Sequence, residues 1–395
     1  ITVVVAVTYL WVRQSPRWPS RWFMLASIAL LWALFFFTPP FSAQRLDDLN
    51  HYYFHGKMLA RYGLNPYAVP PSAAAVDPDY PAVAIWHWFR FNYGPLWLAL
   101  AALVALVAAR LAEGVLLLRV VLAAAAAAGI GFAASLGRRG QAPGSLGVAW
   151  ALHPLLLVWG LSGGHNDVIV AVLLLAALGL GQRGRWQLAA LAVVAAALFK
   201  PVAVVWWPMF WLAGVATAAV GRRLRVGVQM VLAAFGLALA AYLPVWPGWA
   251  TIAGSIPTQN LLLAGPLVAV LRPWLGGSAT AVAAVGFGFI YVAVLWWLSR
   301  SPQNLERIAA ASLMVGLALL AVSPLLQPWY ALWLVPFLLL LGRPWARWLE
   351  GGLVVASLTF YPLWYPVGWA VAVATVAGAT VALWGLARVL RRTTP

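Results

Sequence analysis

The chain has 395 residues, of which 64% are hydrophobic and 8% are charged, and its formal net charge is +17. Soluble globular domains carry about 25% charged residues, so this composition excludes a water-soluble globular protein. The absence of cysteine excludes a disulfide framework and thiol chemistry. Hydrocarbon tolerates only helices and closed barrels, and the sequence lacks the alternating polar pattern of a barrel. We therefore expect an all-α fold, a polytopic transmembrane helical bundle.

The excess of positive charge does not indicate nucleic acid as a partner, because the basic residues occur singly or in pairs between apolar runs. Cytoplasmic loops of membrane proteins accumulate Lys and Arg, so such residues determine topology, and membrane lipids are the expected surroundings. Residues 1–12 are typical of the end of an apolar segment, and we expect further residues upstream of Ile1.

The first complete predicted span covers residues 22–38, and three arginines before it place its start in the cytoplasm. Residues 39–113 form a long loop rich in aromatic residues, which we expect to be ordered on the extracytoplasmic face and to carry interfacial helices. Within it, residues 95–109 are apolar but short for a span, and a crossing there would invert every later basic loop. We predict an interfacial helix at this position, with 115–136 as the second full span.

The remaining spans are predicted within residues 114–392, where basic loops alternate with apolar stretches long enough for hairpins. The whole chain, 1–395, is then a single transmembrane domain with about twelve spans, and both ends of this core are cytoplasmic. Some spans, such as 168–181, are short enough to be half-helices. Outer turns are predicted near residues 162–167, 200–201, 246–274, 324–329 and 365–369. Six of the eight acidic residues lie on the outer side in this scheme.

Two adjacent carboxylates, Asp47 and Asp48, follow the first span. Neighbouring carboxylates raise each other's pKa, and a low dielectric raises it further, which suits one of them to act as a general base. Helical spacing places Tyr52 on the same face as Asp48. The alternative is that one of the two residues only caps the following helix, because Asp is a favoured N-cap residue.

A second polar group, His165, Asn166 and Asp167, follows two glycines in a predicted outer turn. These side chains offer hydrogen-bond donors, acceptors and candidate metal ligands. No metal motif of recognised spacing occurs, so a divalent cation would need ligands from separate loops. The alternative is a polar turn in which Asp167 caps the next helix.

Isolated basic residues on the acidic side could contact the phosphate of a lipid-linked substrate. Lys200, which ends a long apolar run, is the best candidate, and Arg272 is the second. The alternative is snorkelling to lipid headgroups. Aromatic residues near the same face, Trp329 and Tyr330 among them, are typical of an interfacial belt, and a few could stack on sugar rings. His153, before Pro154 inside a span, is interpreted as a packing and kink residue.

Taken in order, these motifs resemble the GT-C glycosyltransferases, membrane enzymes that take a sugar from a polyprenyl-phosphate carrier. The closer resemblance is to the bacterial polyprenol-phosphomannose-dependent mannosyltransferases, and it extends over residues 21–345. The motifs that carry it are Asp47-Asp48 with Tyr52 and Gly56, Gly63-Leu64-Asn65-Pro66-Tyr67 with Pro70, Tyr93-Gly94-Pro95, His153-Pro154, Gly164-His165-Asn166-Asp167, Lys200-Pro201 and Gln327-Pro328-Trp329-Tyr330. The family often has Pro-Pro where this chain has Gly94-Pro95.

The resemblance implies that Asp48 is the catalytic residue, because the family's acid usually precedes a Tyr by four residues; Asp47 is the second candidate. Related aminoarabinose transferases also have a non-crossing helix after the first loop, and a second acid where Asp167 stands. The candidate substrate-binding residues are Tyr52, Tyr67, His165, Asn166, Asp167, Lys200, Arg272, Trp329 and Tyr330.

The expected function is transfer of a sugar, mannose by the resemblance, from a polyprenyl-phosphate donor to a lipid or glycan acceptor. The reaction is expected on the extracytoplasmic face of a bacterial plasma membrane, with inversion and with Asp48 as base. The sequence assigns no cofactor, and a divalent cation stays open. The competing hypothesis is a non-enzymatic membrane protein: a lipid or solute transporter, a flippase or a structural subunit. Transporters often have inverted repeats and midplane charges, and we find neither in the sequence.

Overall fold

The computed structural model describes residues 9, 21–38, 47–137, 144–249 and 265–358, and all regular structure in these residues is helical. Its α-helices are α1 (Arg21–Phe37), α2 (Asp47–Tyr62), α3 (Pro95–Val107), α4 (Leu111–Ser135), α5 (Ser145–Ala151), α6 (Asp167–Gln182), α7 (Trp186–Phe199), α8 (Trp207–Thr217), α9 (Arg223–Tyr242), α10 (Pro266–Leu275), α11 (Ala279–Ser299), α12 (Leu305–Val322) and α13 (Val335–Leu341). Short 3₁₀ segments are Pro71–Ala74, Tyr80–Trp86, Pro201–Trp206, Val220–Arg222, Leu243–Val245, Gly276–Ser278 and Pro328–Leu334, and a π-helical segment covers Leu156–Ser162.

Four helices in this part of the chain are long and apolar enough to cross a membrane, or five if one bent pair counts as a single span. The four are Leu111–Ser135, Val220–Val245, Pro266–Ser299 and Leu305–Val322. Large apolar side chains on α9 and α11, including Phe235 and Phe289, are exposed on the outside of the bundle. Such surfaces suit lipid rather than water, and the protein is therefore an integral membrane protein. The expected count of about twelve spans, and the side on which each end lies, stay predictions.

The first loop contains helices where the sequence predicted them. The predicted interfacial segment 95–109 is a separate helix, α3, of 13 residues, and the predicted span 115–136 lies in α4, of 25 residues. Only α4 is long enough to cross a bilayer about 30 Å thick, because a helix rises 1.5 Å per residue. The division into a short helix and a long one is confirmed, whereas the interfacial position of α3 stays a prediction.

One predicted turn differs in the structure. The outer turn expected over residues 246–274 contains the ten-residue helix α10, and a 3₁₀ turn joins α10 to α11. The proline at 273 near the end of α10 and the glycines that follow obscured this helix in the sequence, because both residue types favour turns. The turn expected near residues 365–369 lies outside the described residues.

The helix α2 packs along α3 at a very short distance, and Gly56 makes this possible. A methyl group at Gly56 would lie 2.3 Å from the backbone carbonyl of Ala101 in α3. At the end of α3, the guanidinium of Arg61 donates to the carbonyl oxygens of Ala105 and Ala108 and satisfies groups that a helix leaves unpaired. The first-loop helices therefore form one packed unit.

The remainder of the first loop is held to α2 by a buried ionic group. The ammonium of Lys57 lies 2.7 Å from a carboxylate oxygen of Asp77 and 2.6 Å from Asp79, and Tyr62 donates a hydrogen bond to Asp77. Burial works against the ammonium charge, but hydrogen bonds to the two carboxylates leave the pKa of Lys57 raised. These contacts support the expectation of an ordered loop for its described part, residues 47–113.

Candidate active site

The carboxylate of Asp48 lies at the start of α2 and is held by a histidine from a distant part of the chain. His165 Nδ1 donates a hydrogen bond to Asp48 Oδ2 over 3.0 Å, and the two residues are 117 positions apart. The side chain of His165 is 5% exposed and that of Asp48 is 16% exposed, so Asp48 is the more accessible partner. The side chain of Asp47 lies outside the described part of the structure.

A broken helix brings the chain to His165. The segments Ser145–Ala151 and Leu156–Ser162 bend by 58° at their junction, where Pro154 removes a backbone donor. This bend agrees with the interpretation of His153 and Pro154 as packing and kink residues. After the break, Gly164 adopts a positive φ of 69°, a region that glycine occupies without strain. A Cβ at Gly164 would lie 2.5 Å from Leu49, so the glycine also permits close approach to α2.

The imidazole of His165 is fixed from its face as well as its edge. Its ring stacks on Trp329 with a centroid distance of 3.6 Å and an interplanar angle of 13°. Trp329 belongs to the 3₁₀ segment Pro328–Leu334, which lies far along the chain from the first loop. Stacking and the hydrogen bond to Asp48 together restrict the ring to one orientation.

The second carboxylate, Asp167, is buried in an ion pair. Asp167 Oδ1 lies 2.7 Å from the ammonium of Lys200 and accepts a 2.6 Å hydrogen bond from Trp333 Nε1. The Lys200 ammonium also lies 4.7–5.3 Å from three ring centroids, those of Tyr93, Tyr330 and Trp333. Rings at these distances stabilise a desolvated cation, so the three aromatic rings and Asp167 together hold the Lys200 side chain in place.

Both carboxylates are close to the same pair of tyrosines. The Tyr52 hydroxyl donates to the Tyr93 hydroxyl over 3.3 Å. Burial is the main cause that raises the pKa of Tyr52, and the charges of Asp48 and Asp167 raise it further. The two tyrosine hydroxyls therefore stay protonated and are hydrogen-bonding groups near both carboxylates.

The Tyr93 segment is anchored on both sides. The Tyr67 hydroxyl donates to the carbonyl oxygen of Tyr93 over 2.7 Å, and the Gly94 amide donates to the carbonyl oxygen of Phe199 over 2.9 Å. Gly94 is required at this point because a Cβ there would lie 2.0 Å from the carbonyl oxygen of Leu198. The first loop is thereby attached to the end of α7, next to Lys200.

Most of the predicted site residues therefore meet in one cluster, which contains Asp48, Tyr52, Tyr67, His165, Asn166, Asp167, Lys200, Trp329 and Tyr330. Arg272 is not among them: it is exposed on α10, which packs against α11 and α12. Trp333 was absent from the predicted set because 25 tryptophans in the chain make any single one uninformative. Tyr93 was predicted only as part of a motif and an aromatic belt.

The side chains around Asp167 are arranged for its ion pair with the Lys200 ammonium rather than for a divalent cation. Among the described residues, no group of three or more His, Cys, Asp or Glu side chains is placed to hold a metal. Lys200 already neutralises Asp167, and the Nδ1 atom of His165 is committed to Asp48. These residues do not form a divalent cation site of the usual kind, which needs several oxygen or nitrogen ligands around the ion.

A polytopic helical bundle that carries this cluster has the features of a membrane glycosyltransferase. The chain belongs to the alpha-(1->6)-mannopyranosyltransferase family, whose model of the N-terminal domain matches residues 2–219. The matched part contains Asp48, His165, Asp167 and Lys200, and the resemblance stated from the sequence is thereby confirmed.

A curated relative extends this similarity beyond the N-terminal domain. The chain is 27% identical, over 348 residues, to alpha-(1->6)-mannopyranosyltransferase A of Mycobacterium tuberculosis. The aligned region covers 79% of this chain and 64% of the relative, so the chain corresponds to somewhat less than two thirds of that protein's length.

Proposed function

We propose that the protein transfers mannose from a polyprenyl-phosphate donor to a glycan or glycolipid acceptor, with Asp48 as the general base and with inversion at the anomeric carbon. The active site is proposed to face the extracytoplasmic side of the plasma membrane, where the basic-loop pattern places residues 162–167. The observation that carries the proposal is the hydrogen bond between Asp48 and His165, directly beside the ion pair of Asp167 and Lys200.

The different surroundings of the two carboxylates support separate roles. Asp167 is fully buried, and one of its carboxylate oxygens is already held by Lys200 and Trp333. Asp48 is partly exposed, and its Oδ2 accepts a hydrogen bond from His165 that orients the carboxylate. A general base must reach the proton that it removes, and Asp48 meets this condition better than Asp167.

In the proposed reaction, Asp48 accepts the proton of an acceptor hydroxyl as its oxygen attacks the anomeric carbon of the mannosyl group. The bond from that carbon to the phosphate oxygen breaks, and polyprenyl phosphate leaves with its negative charge. Because the leaving group departs as an anion, no protonating acid is needed, and a cationic side chain next to the phosphate would stabilise it. One direct displacement with one base inverts the anomeric configuration.

The test is transfer of mannose by purified protein supplied with polyprenyl-phosphate mannose and a mannose-containing acceptor. Asp48→Asn should reduce kcat by about 10²- to 10⁴-fold, the range expected for loss of a general base, while thermal unfolding stays unchanged. Asp47→Asn distinguishes the two adjacent candidates, since it should lose far less activity. Glu113→Gln is a matched control, because Glu113 is exposed and accepts hydrogen bonds only from the backbone before α4.

An active Asp48→Asn protein would refute the assigned base. If the wild-type protein neither releases nor transfers mannose, the better hypothesis is a non-enzymatic membrane protein, such as a lipid transporter or a structural subunit.

A further inference from the structure

Three polar atoms on two consecutive site residues are buried and have no hydrogen-bond partner among the described residues. They are Oδ1 and Nδ2 of Asn166 and Oδ2 of Asp167. Both residues are 0% exposed. An unpaired amide or carboxylate in a low dielectric costs several kcal/mol, and for this reason nearly all buried polar groups in native proteins are paired. These atoms therefore require an explanation.

Helix capping does not explain Asn166, although it occupies the N-cap position of α6. Its backbone is helical, with φ −65° and ψ −8°, and its side chain makes no capping hydrogen bond. Asn304 at the start of α12 shows the usual arrangement: its backbone is extended, and its Oδ1 accepts from the Arg307 amide over 3.0 Å. Two asparagines at equivalent helix positions thus behave differently, and only the one inside the candidate active site leaves its amide unpaired.

The chemistry of these three atoms selects a neutral ligand rich in hydroxyl groups. The Asn166 amide offers donors and an acceptor, and Asp167 Oδ2 offers an acceptor. A phosphate would be repelled by the Asp167 carboxylate, and Lys200 on its other oxygen opposes a metal cation. A sugar hydroxyl both donates and accepts, so two neighbouring hydroxyls on one ring match this set.

We propose that Asn166 and Asp167 Oδ2 bind two adjacent hydroxyls of a sugar ring and so determine which sugar the protein accepts. This inference rests on the proposed function. It assigns the sugar to residues 165–167, where the stacked rings of His165 and Trp329 lie beside it. The ring belongs to the mannosyl donor or to the acceptor glycan, and the experiment distinguishes these two sources.

The experiment measures kcat/KM for wild-type protein and Asn166→Ala with a series of substrates that each lack one hydroxyl. One series removes hydroxyls from the mannose of the polyprenyl-phosphate donor, and the other removes non-reacting hydroxyls from the acceptor. With wild-type protein, loss of the hydroxyl that Asn166 binds should reduce kcat/KM about tenfold, the usual value of one hydrogen bond. With Asn166→Ala that particular penalty should disappear, whereas penalties at the other positions should remain.

The Tm of Asn166→Ala is a second measurement. A purely structural role of Asn166 predicts a lower Tm, whereas a sugar-binding role predicts an unchanged or higher Tm. Asn166→Ala removes an unpaired buried amide, so Tm in the absence of substrate should stay unchanged or rise. Asn304→Ala removes a working cap, so it should lower Tm and leave the deoxy-substrate penalties of the wild-type protein intact.

Each outcome decides between the readings. If Asn166→Ala abolishes the kcat/KM loss caused by a missing donor hydroxyl, the bound hydroxyls belong to the donor. If it abolishes the loss caused by a missing acceptor hydroxyl, they belong to the acceptor. Suppose that the wild-type protein transfers mannose but Asn166→Ala still loses kcat/KM with every deoxy substrate, or that Asn166→Ala lowers Tm as Asn304→Ala does. Either result overturns the sugar site and leaves the proposed function standing. If wild-type protein transfers no mannose, both fall.

Discussion

Substitution of Gly56 tests whether the contact between α2 and α3 positions the proposed base. In Gly56→Ala the new methyl carbon would lie 2.3 Å from both the carbonyl carbon and the carbonyl oxygen of Ala101. Ordinary contact between such atoms needs about 3.5 Å, so the two helices must separate by about 1 Å. Both contacting atoms belong to the backbone, and a side-chain rotation therefore cannot relieve the clash.

The expected loss of stability follows from two opposing terms. Alanine in place of glycine within a helix gains about 0.5–1 kcal/mol of unfolding free energy. Overpacking in a close contact costs about 1–3 kcal/mol, and the high end applies here because backbone must move. The net loss for Gly56→Ala is about 2–2.5 kcal/mol. Because α2 also carries Asp48, a shift of about 1 Å should reduce kcat by about 10²-fold.

The matched control is Gly131→Ala in α4. A methyl group at Gly131 meets no atom within 4 Å, so this substitution has the helix-propensity gain without the clash. We expect Gly131→Ala to raise Tm slightly and to leave transfer unchanged, whereas Gly56→Ala lowers both. Thermal unfolding in detergent and the mannose-transfer assay measure the two effects. If the two variants behave alike, the close approach of α2 and α3 does not position Asp48.

Two further predictions concern the first loop. Lys57→Met leaves the buried carboxylate of Asp77 without its cation and should lower the free energy of unfolding by about 3–5 kcal/mol, measured as a fall in Tm. Burial lowers the pKa of His55 to about 4 and, together with the charge of His55, lowers that of His51. Their neutral rings contribute stability that is fully present above about pH 6.5 and lost as pH falls towards 4. The double variant His51→Gln/His55→Gln should flatten this pH dependence of Tm, and His87→Gln, at an exposed position, should retain it.

Much of the helical framework could be predicted from hydropathy and charge. Residues 95–109 and 115–136 separate into a short helix and a long one because span length and basic-loop polarity allow only this division. The helix α10 could not be predicted, since its proline and the glycines after it are typical of a turn, and its packing against α11 and α12 outweighs that local signal.

Most residues of the candidate site could be predicted from the sequence, but the partner of each carboxylate could not. Motif order brought Asp48, His165, Asp167 and Lys200 to one end of the bundle. The histidine reaches Asp48 across 117 positions of the chain and the lysine reaches Asp167 across 33, and no local pattern encodes which carboxylate takes which partner. The hydrogen bond from Trp333 to Asp167 joins residues 166 positions apart, and no local pattern encodes this contact either.

The charges of the cluster explain why sugar and phosphate should occupy different sides of it. Lys200 is already neutralised by Asp167, and separating that buried pair without a replacement anion would be strongly unfavourable. A phosphate can therefore use Lys200 only by taking the place of Asp167 Oδ1, or it must find a second cation outside the cluster. Hydroxyl groups face no such competition at Asn166. If the sugar ring at residues 165–167 belongs to the donor and its phosphate lies outside the cluster, binding does not require the buried ion pair to open.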